Sequence, residues 1–339
     1  MNLIDVWTFV GDGLPGDVMR FLARGPATDP LRANRSTSVE STCMEALKKP
    51  PWLKKRIPPI QEIEKVKAIL GRENLHTVCE EARCPNLGDC FSKGTATFLI
   101  LGRVCTRNCS FCAVEHGTPL PLNESEPETV ARAVEELRLQ YVVLTSVTRD
   151  DLQDGGASHY AEAIRALRAL DPEVKIEVLI PDLKGDRTAL STVLKEQPDV
   201  LNHNIETVPR LHPQVRPRAD YRRSLKLLKW AKQTEPSLLT KSGFMLGLGE
   251  IREEVLNLLA DLKEVKCDFL TIGQYLQPRS DRLPVVRYVP PEEFEEYQQI
   301  AQGMGFRGVA SGPFVRSSFH ASQMFENHIN HQVDKTIGQ

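Results

Sequence analysis

Thr97-Phe98-Leu99-Ile100-Leu101-Gly102-Arg103-Val104-Cys105-Thr106-Arg107-Asn108-Cys109-Ser110-Phe111-Cys112 joins a short β-rich run, Thr97–Leu101, to three cysteines spaced C-x3-C-x2-C. Runs of the same kind recur downstream at Tyr141–Val147, Lys175–Ile180, Val200–Ile205, Gly243–Leu248, Phe269–Tyr275 and Gly308–Ser311. Helical periodicity fills the gaps, at Glu128–Leu139, Tyr160–Leu170, Ala189–Glu196, Tyr221–Gln233, Glu253–Val265 and Pro291–Met304. Repeated βα units predict an α/β fold with a parallel sheet, and six or seven of them favour a partial or full (β/α) barrel over a flat doubly wound sheet. Closure of the barrel is left open. In such a fold chemistry gathers where strands give way to βα loops, and the cysteine triplet follows the first strand.

A second triplet lies upstream, Cys79-Glu80-Glu81-Ala82-Arg83-Cys84-Pro85-Asn86-Leu87-Gly88-Asp89-Cys90, spaced C-x4-C-x5-C, so six of the eight cysteines fall within 34 residues. Disulfides suit small secreted chains, whereas this one has 339 residues and shows no export signal, which points to reduced thiols and metal. Structural zinc asks for four closed ligands, usually as paired C-x2-C knuckles, and only Cys109 and Cys112 form such a pair. Each triplet is one ligand short of four, which suits a four-iron cluster with one special iron. Three thiolates leave that iron open to a ligand. Cys43 reads as an exposed thiol and Cys267 as a small buried apolar group. His116, His203 and His320 stand near motifs, but an isolated histidine is more often packed than catalytic.

Composition narrows the alternatives. With 43 basic and 45 acidic side chains the net charge is −2, too small to argue for nucleic acid or an anionic membrane. No apolar run is long enough to span a bilayer. Residues 1–45 are irregular and mix arginines with acids, unlike most presequences, so a cytoplasmic enzyme is expected, with a mitochondrial or plastid one as the alternative. Lys48-Lys49-Pro50-Pro51-Trp52-Leu53-Lys54-Lys55-Arg56 carries five cations and no acid. It reads as a solvated linker or as a docking patch for an acidic partner.

The C-x3-C-x2-C loop with Phe111 before its last cysteine resembles the radical S-adenosylmethionine (radical SAM) superfamily. With the upstream triplet and Arg316-Ser317-Ser318-Phe319-His320, the chain resembles the lipoyl synthase family over roughly residues 48–325. Stretches at Thr145–Gly156, His203–Thr207, Lys241–Gly249 and Gly273–Pro278 are similar to the same family. It departs at Phe319, where the family usually has tyrosine, and at Arg218, where glycine is usual.

The resemblance implies two 4Fe-4S clusters and S-adenosylmethionine. Cys105, Cys109 and Cys112 would hold the cluster that cleaves S-adenosylmethionine, and Cys79, Cys84 and Cys90 an auxiliary cluster sacrificed as the sulfur source. A serine supplies its fourth ligand, Ser318 being favoured and Ser317 the alternative. Gly155, Gly156, Asn204 and Glu206 would contact S-adenosylmethionine. The implied reaction is insertion of two sulfurs at C6 and C8 of a protein-bound octanoyl-lysine. Expected partners are octanoylated carrier domains (2-oxoacid dehydrogenase E2 or the glycine cleavage H protein), a reductant such as ferredoxin or flavodoxin, and an iron–sulfur carrier. The expected organisation is a head over 1–47, an extension with the auxiliary loop over 48–94, the barrel over 95–315 and a C-terminal segment over 316–339. A biotin synthase-like enzyme and a noncatalytic iron–sulfur or zinc scaffold are the competing readings.

Overall fold

The computed structural model describes residues 48–55, 60–91 and 96–337. The head over 1–47 with Cys43, and Arg56 of the basic run, lie outside the described residues. Eight strands form one sheet in chain order: β1 (His76–Thr77), β2 (Thr97–Ile100), β3 (Tyr141–Ser146), β4 (Lys175–Leu179), β5 (Val200–Asn202), β6 (Leu239–Leu246), β7 (Phe269–Gln274) and β8 (Gly308–Gly312). β1 pairs antiparallel with β2, and every later pair is parallel. Helices α1 (Ile60–Arg72), α2 (Val78–Glu81) and α3 (Leu87–Phe91) precede β2. Between the parallel strands run α4 (Glu126–Leu137), α5 (Ala157–Leu170), α6 (Arg187–Leu194), α7 (His212–Val215), α8 (Tyr221–Thr234), α9 (Arg252–Glu264) and α10 (Pro291–Gly303), and α11 (Ala321–Ile337) follows β8.

Local chemistry explains the elements. β2 and β7 are buried at every position, as expected of parallel strands covered on both faces. α6 and α8 start where the Asp186 and Asp220 carboxylates accept backbone N–H bonds of the first turn. Among the described residues no helix is long and apolar enough to cross a membrane.

The expected barrel is present and stays partial, since β8 does not pair with β1. The chain after β8 crosses the pocket face as a strap. Gly273 on β7 makes room for it: a Cβ there would stand 2.2 Å from the Val315 carbonyl oxygen. α11 then closes the floor, where Phe325 clusters with Val200, Leu239 and Phe269, near the starts of β5, β6 and β7.

His203, just past β5, is fully packed. Its Nδ1 lies 2.8 Å from the Ile180 carbonyl oxygen and its Nε2 2.9 Å from Ser224 Oγ. Nδ1–H donating to the carbonyl and Nε2 accepting from the serine is the neutral tautomer. Burial, reinforced by Arg216, pushes its pKa down to about 4, and His212 falls to about 4 for the same reasons. The unfolded chain takes up a proton near pH 6.5 while the folded chain does not, so stability falls as pH drops from about 6.5 toward about 4. His203→Gln should flatten this fall in unfolding midpoint, leaving the His212 contribution. An undiminished pH slope in the variant would contradict the assignment.

Candidate active site

A cavity of about 330 Å³ lies at the C-terminal ends of the strands, and both cysteine triplets line it. The downstream triplet sits on a braced loop. The turn out of β2 is set at Leu101, whose N–H donates to Glu126 Oε2 at 2.7 Å and whose carbonyl accepts from Arg149. Cys105 Sγ accepts N–H bonds from Arg107 and Thr148 at 3.4 and 3.3 Å. Arg107 is clamped by Asp150 and Asp182. Burial alone would raise the Asp182 carboxyl, but Arg107 outweighs it and holds the group well below the usual carboxylate range.

Arg218 donates to the Thr106 carbonyl at 2.7 Å, so the side chain that stands at a usual glycine ties the loop after α7 to the cysteine loop. Burial raises the Cys109 thiol against the pull of Arg216. It pushes Cys112 up to about 12 against the Val114 N–H. Metal ligation by these thiols would therefore release protons.

The upstream triplet occupies α2, α3 and the turn between them, where Cys84 N–H bonds the Cys79 carbonyl at 2.9 Å. Burial raises the Cys79 thiol, opposed by the Thr97 N–H. Thr97 Oγ1 is also 2.8 Å from Ser318 Oγ, so the strap meets this triplet through one β2 residue. Lys55 and Asn86 hold the strap down. Lys55 Nζ pairs with Asp89 at 2.5 Å and stands 4.6 Å from the Phe314 ring centroid and 5.3 Å from that of Phe319. Asn86 Nδ2 donates to the Phe314 carbonyl at 2.6 Å.

Lys55 is thus a corrected expectation. It is spent on Asp89 rather than free for docking, while Lys48 and Lys54 remain exposed. Phe319 keeps the aromatic face that Lys55 covers.

Across the cavity Asn204 and Glu206 line the wall, and Glu206 is held at a left-handed φ of 68°. Burial raises its carboxyl, while Arg216, the Asn204 side chain and Arg316 pull the other way. Gly155 and Gly156 are not part of the lining. Their left-handed φ values, 65° and 91°, turn the chain into α5, and a Cβ on Gly156 would meet Leu101 at 2.3 Å. Cys267 is buried as expected, and His320 is exposed beside Gln323.

The donor sets fit clusters. Among the described residues no three His, Cys, Asp or Glu side chains converge on a single metal ion. Each triplet brings three thiols to the cavity wall, one short of the four ligands of a closed zinc centre and the number that leaves one iron of a four-iron cluster open. The N–H groups aimed at Cys105 are of the kind that would tune the sulfurs of a cluster held there.

A sequence model of the radical SAM superfamily matches residues 99–262, and one of the N-terminal domain of lipoyl synthase matches residues 15–84. Lipoyl synthase of Caldicellulosiruptor bescii is 56% identical over 278 residues, covering 82% of this chain and 96% of that protein. Lipoyl synthase of Caldanaerobacter subterraneus subsp. tengcongensis is 54% identical over 275 residues, covering 81% and 96%. The chain belongs to the lipoyl synthase family.

As a member of that family it is a radical SAM enzyme that inserts sulfur, and the superfamily brings with it a 4Fe-4S cluster and S-adenosylmethionine. Among solved structures, Streptococcus suis SuiB bound to S-adenosylmethionine is similar at a TM-score of 0.50 and 12% identity, over 74% of this chain and 54% of that one. At that identity the likeness concerns the fold alone. The sequence assigned no role to the pocket arginines Arg83, Arg216 and Arg316. Burial lowers the Arg316 pKa, while the nearby Cys84 and Glu206 both pull it the other way.

Proposed function

We propose that this chain inserts sulfur at C6 and C8 of an octanoyl chain borne on a lysine of a lipoyl carrier domain, with the sulfur drawn from a second four-iron cluster. The opening of both triplets onto one cavity carries this reading. Cys105, Cys109 and Cys112 would hold a four-iron cluster that, with S-adenosylmethionine, would supply radical chemistry able to take hydrogen from an unactivated carbon. Cys79, Cys84, Cys90 and Ser318 would hold the sulfur-bearing cluster, which would be consumed as a substrate. Ser318 is favoured over Ser317 because Thr97 sets it beside Cys79. An alkoxide is a hard ligand among thiolates, suited to an iron that must leave.

Asn204 and Glu206 orient S-adenosylmethionine. Gly155 and Gly156 act at one remove, by letting the loop before α5 pack on Leu101 and Leu183. Leu99, Val147, Leu179, Ile180, Met245 and Leu276 give the cavity an apolar wall that fits an alkyl chain and excludes water. The extension over 48–94, the barrel over 95–315 and the segment over 316–339 each bring one part of this site. A ferredoxin or flavodoxin supplies the electron, an iron–sulfur carrier restores the consumed cluster, and the bacterial sources of the relatives support a cytoplasmic setting.

Anaerobically purified protein given S-adenosylmethionine, a strong reductant and an octanoyl-lysyl peptide should yield a peptide carrying two added sulfurs. Zinc in place of iron, or deoxyadenosine without sulfur in the peptide, would overturn the reading. The carrier reaches the pocket past the exposed cations Lys48 and Lys54. Lys54→Glu should slow turnover on an intact acidic carrier several-fold at low ionic strength and little at high, since rim charges act on encounter. A salt dependence equal to that of the native enzyme would remove this docking role.

A further inference from the structure

A chain of hydrogen bonds runs from the buried interior of the barrel to the pocket wall. Lys241 Nζ contacts both Glu177 oxygens at 3.0 Å, and both residues are 1% exposed. Asn202 Nδ2 donates to Glu177 Oε1 at 2.7 Å and to Ser317 Oγ at 2.8 Å. Ser317 Oγ donates in turn to Asn204 Oδ1 at 2.8 Å, and Asn204 lines the cavity wall with Glu206. The direction of every bond is fixed. Glu177 only accepts, the amide of Asn202 has two hydrogens for two acceptors, and the one Ser317 hydrogen is left for Asn204. Ser317 is the only member of the chain that lies on the strap.

We propose that Ser317 is a positioning residue that registers the strap against the barrel and orients Asn204 toward Glu206. It thereby couples the placement of Ser318 at the auxiliary cluster to the S-adenosylmethionine end of the pocket. This rests on the roles proposed above for Ser318, Asn204 and Glu206. The Glu177–Lys241 pair is the fixed anchor. An ion pair buried in a barrel does not tolerate displacement without leaving a charge unpaired, so it gives Asn202 one orientation. Ser317 reads that orientation on one side and passes it to Asn204 on the other.

Three variants of the holoenzyme test this: Ser317→Ala, Asn202→Ala and the double variant. Anaerobic equilibrium dialysis gives S-adenosylmethionine affinity, and Mössbauer spectroscopy gives the oxygen-ligated iron of the auxiliary cluster. Ser317→Ala should weaken binding about three- to tenfold, the scale of one hydrogen bond, and should broaden or abolish the oxygen-ligated iron signature. Asn202→Ala should reproduce both effects more weakly or equally, and the double variant should bind no worse than the poorer single one, because the three groups act in series. Native affinity with an unaltered iron signature in Ser317→Ala would overturn the proposal, as would fully multiplicative losses in the double variant. Ser318→Ala separates the two readings. If its iron signature is native, the ligand assignment of Ser318 fails, whereas the dialysis result for Ser317 still decides the coupling to Asn204.

Discussion

Replacing Cys109 by alanine is expected to reduce deoxyadenosine and sulfur-bearing product to background together, whereas Cys84→Ala is expected to lose product and keep cleavage of S-adenosylmethionine. The difference follows from where the two thiols are held. Cys109 lies on the loop braced by the Arg107 clamp and the N–H donors at Cys105, separate from the α2–α3 turn that carries Cys84. Removing Cys109 leaves two thiolates for the cluster that delivers the electron. Removing Cys84 leaves that loop and its bracing untouched. Anaerobic chromatography of deoxyadenosine beside mass spectrometry of an octanoyl-lysyl peptide reads both activities in one reaction. Lipoyl product from the Cys84 variant, or native deoxyadenosine from the Cys109 variant, would reverse the assignment of roles.

Ser318→Ala should lower sulfur insertion by at least about ten- to a hundredfold, the range seen when even an outer partner of a metal site is lost, while the fold persists. The alanine cannot ligate iron, and it frees Thr97 Oγ1 of one bond only. Its defect should not respond to S-adenosylmethionine concentration. That of Ser317→Ala should, because Ser317 acts through Asn204. A native rate from Ser318→Ala together with an unrescued loss in Ser317→Ala would move the ligand one residue back.

Much of this architecture was legible in the sequence where periodicity carried it. The parallel strands lie within a few residues of the expected runs because most are short β-rich segments with an apolar centre, such as Phe98–Ile100 and Val142–Leu144. β6 is the main exception: it begins at Leu239 rather than Gly243, since Thr240, Lys241 and Ser242 are polar residues that nevertheless point into buried surroundings. β1 has only two residues and no pattern to show, and α11 is only weakly amphipathic.

The cysteine triplets were legible because spacing along a short loop is itself the signal. The latch was not. Asn202 and Ser317 are 115 residues apart, and no local chemistry distinguishes an amide at the end of β5 from any other polar strand end. Lys55 misled for a related reason, since a run of cations looks solvated until Asp89 is brought against it by the fold. A Gly-Gly pair announces only backbone freedom. At Gly155 and Gly156 the fold uses that freedom for helix entry and for contact with Leu101, not for lining the pocket.

The central claim, that sulfur comes from a cluster held by this chain and ends in the octanoyl group, is tested most directly by isotope transfer. Holoenzyme reconstituted with heavy-isotope sulfide, freed of excess label, is given an octanoyl-lysyl peptide, S-adenosylmethionine and reductant for a single turnover in unlabelled buffer. The predicted product carries heavy sulfur at both inserted positions, with label lost from the protein in step. Product containing only light sulfur, or deoxyadenosine formed while all the label stays in the protein, would contradict the account.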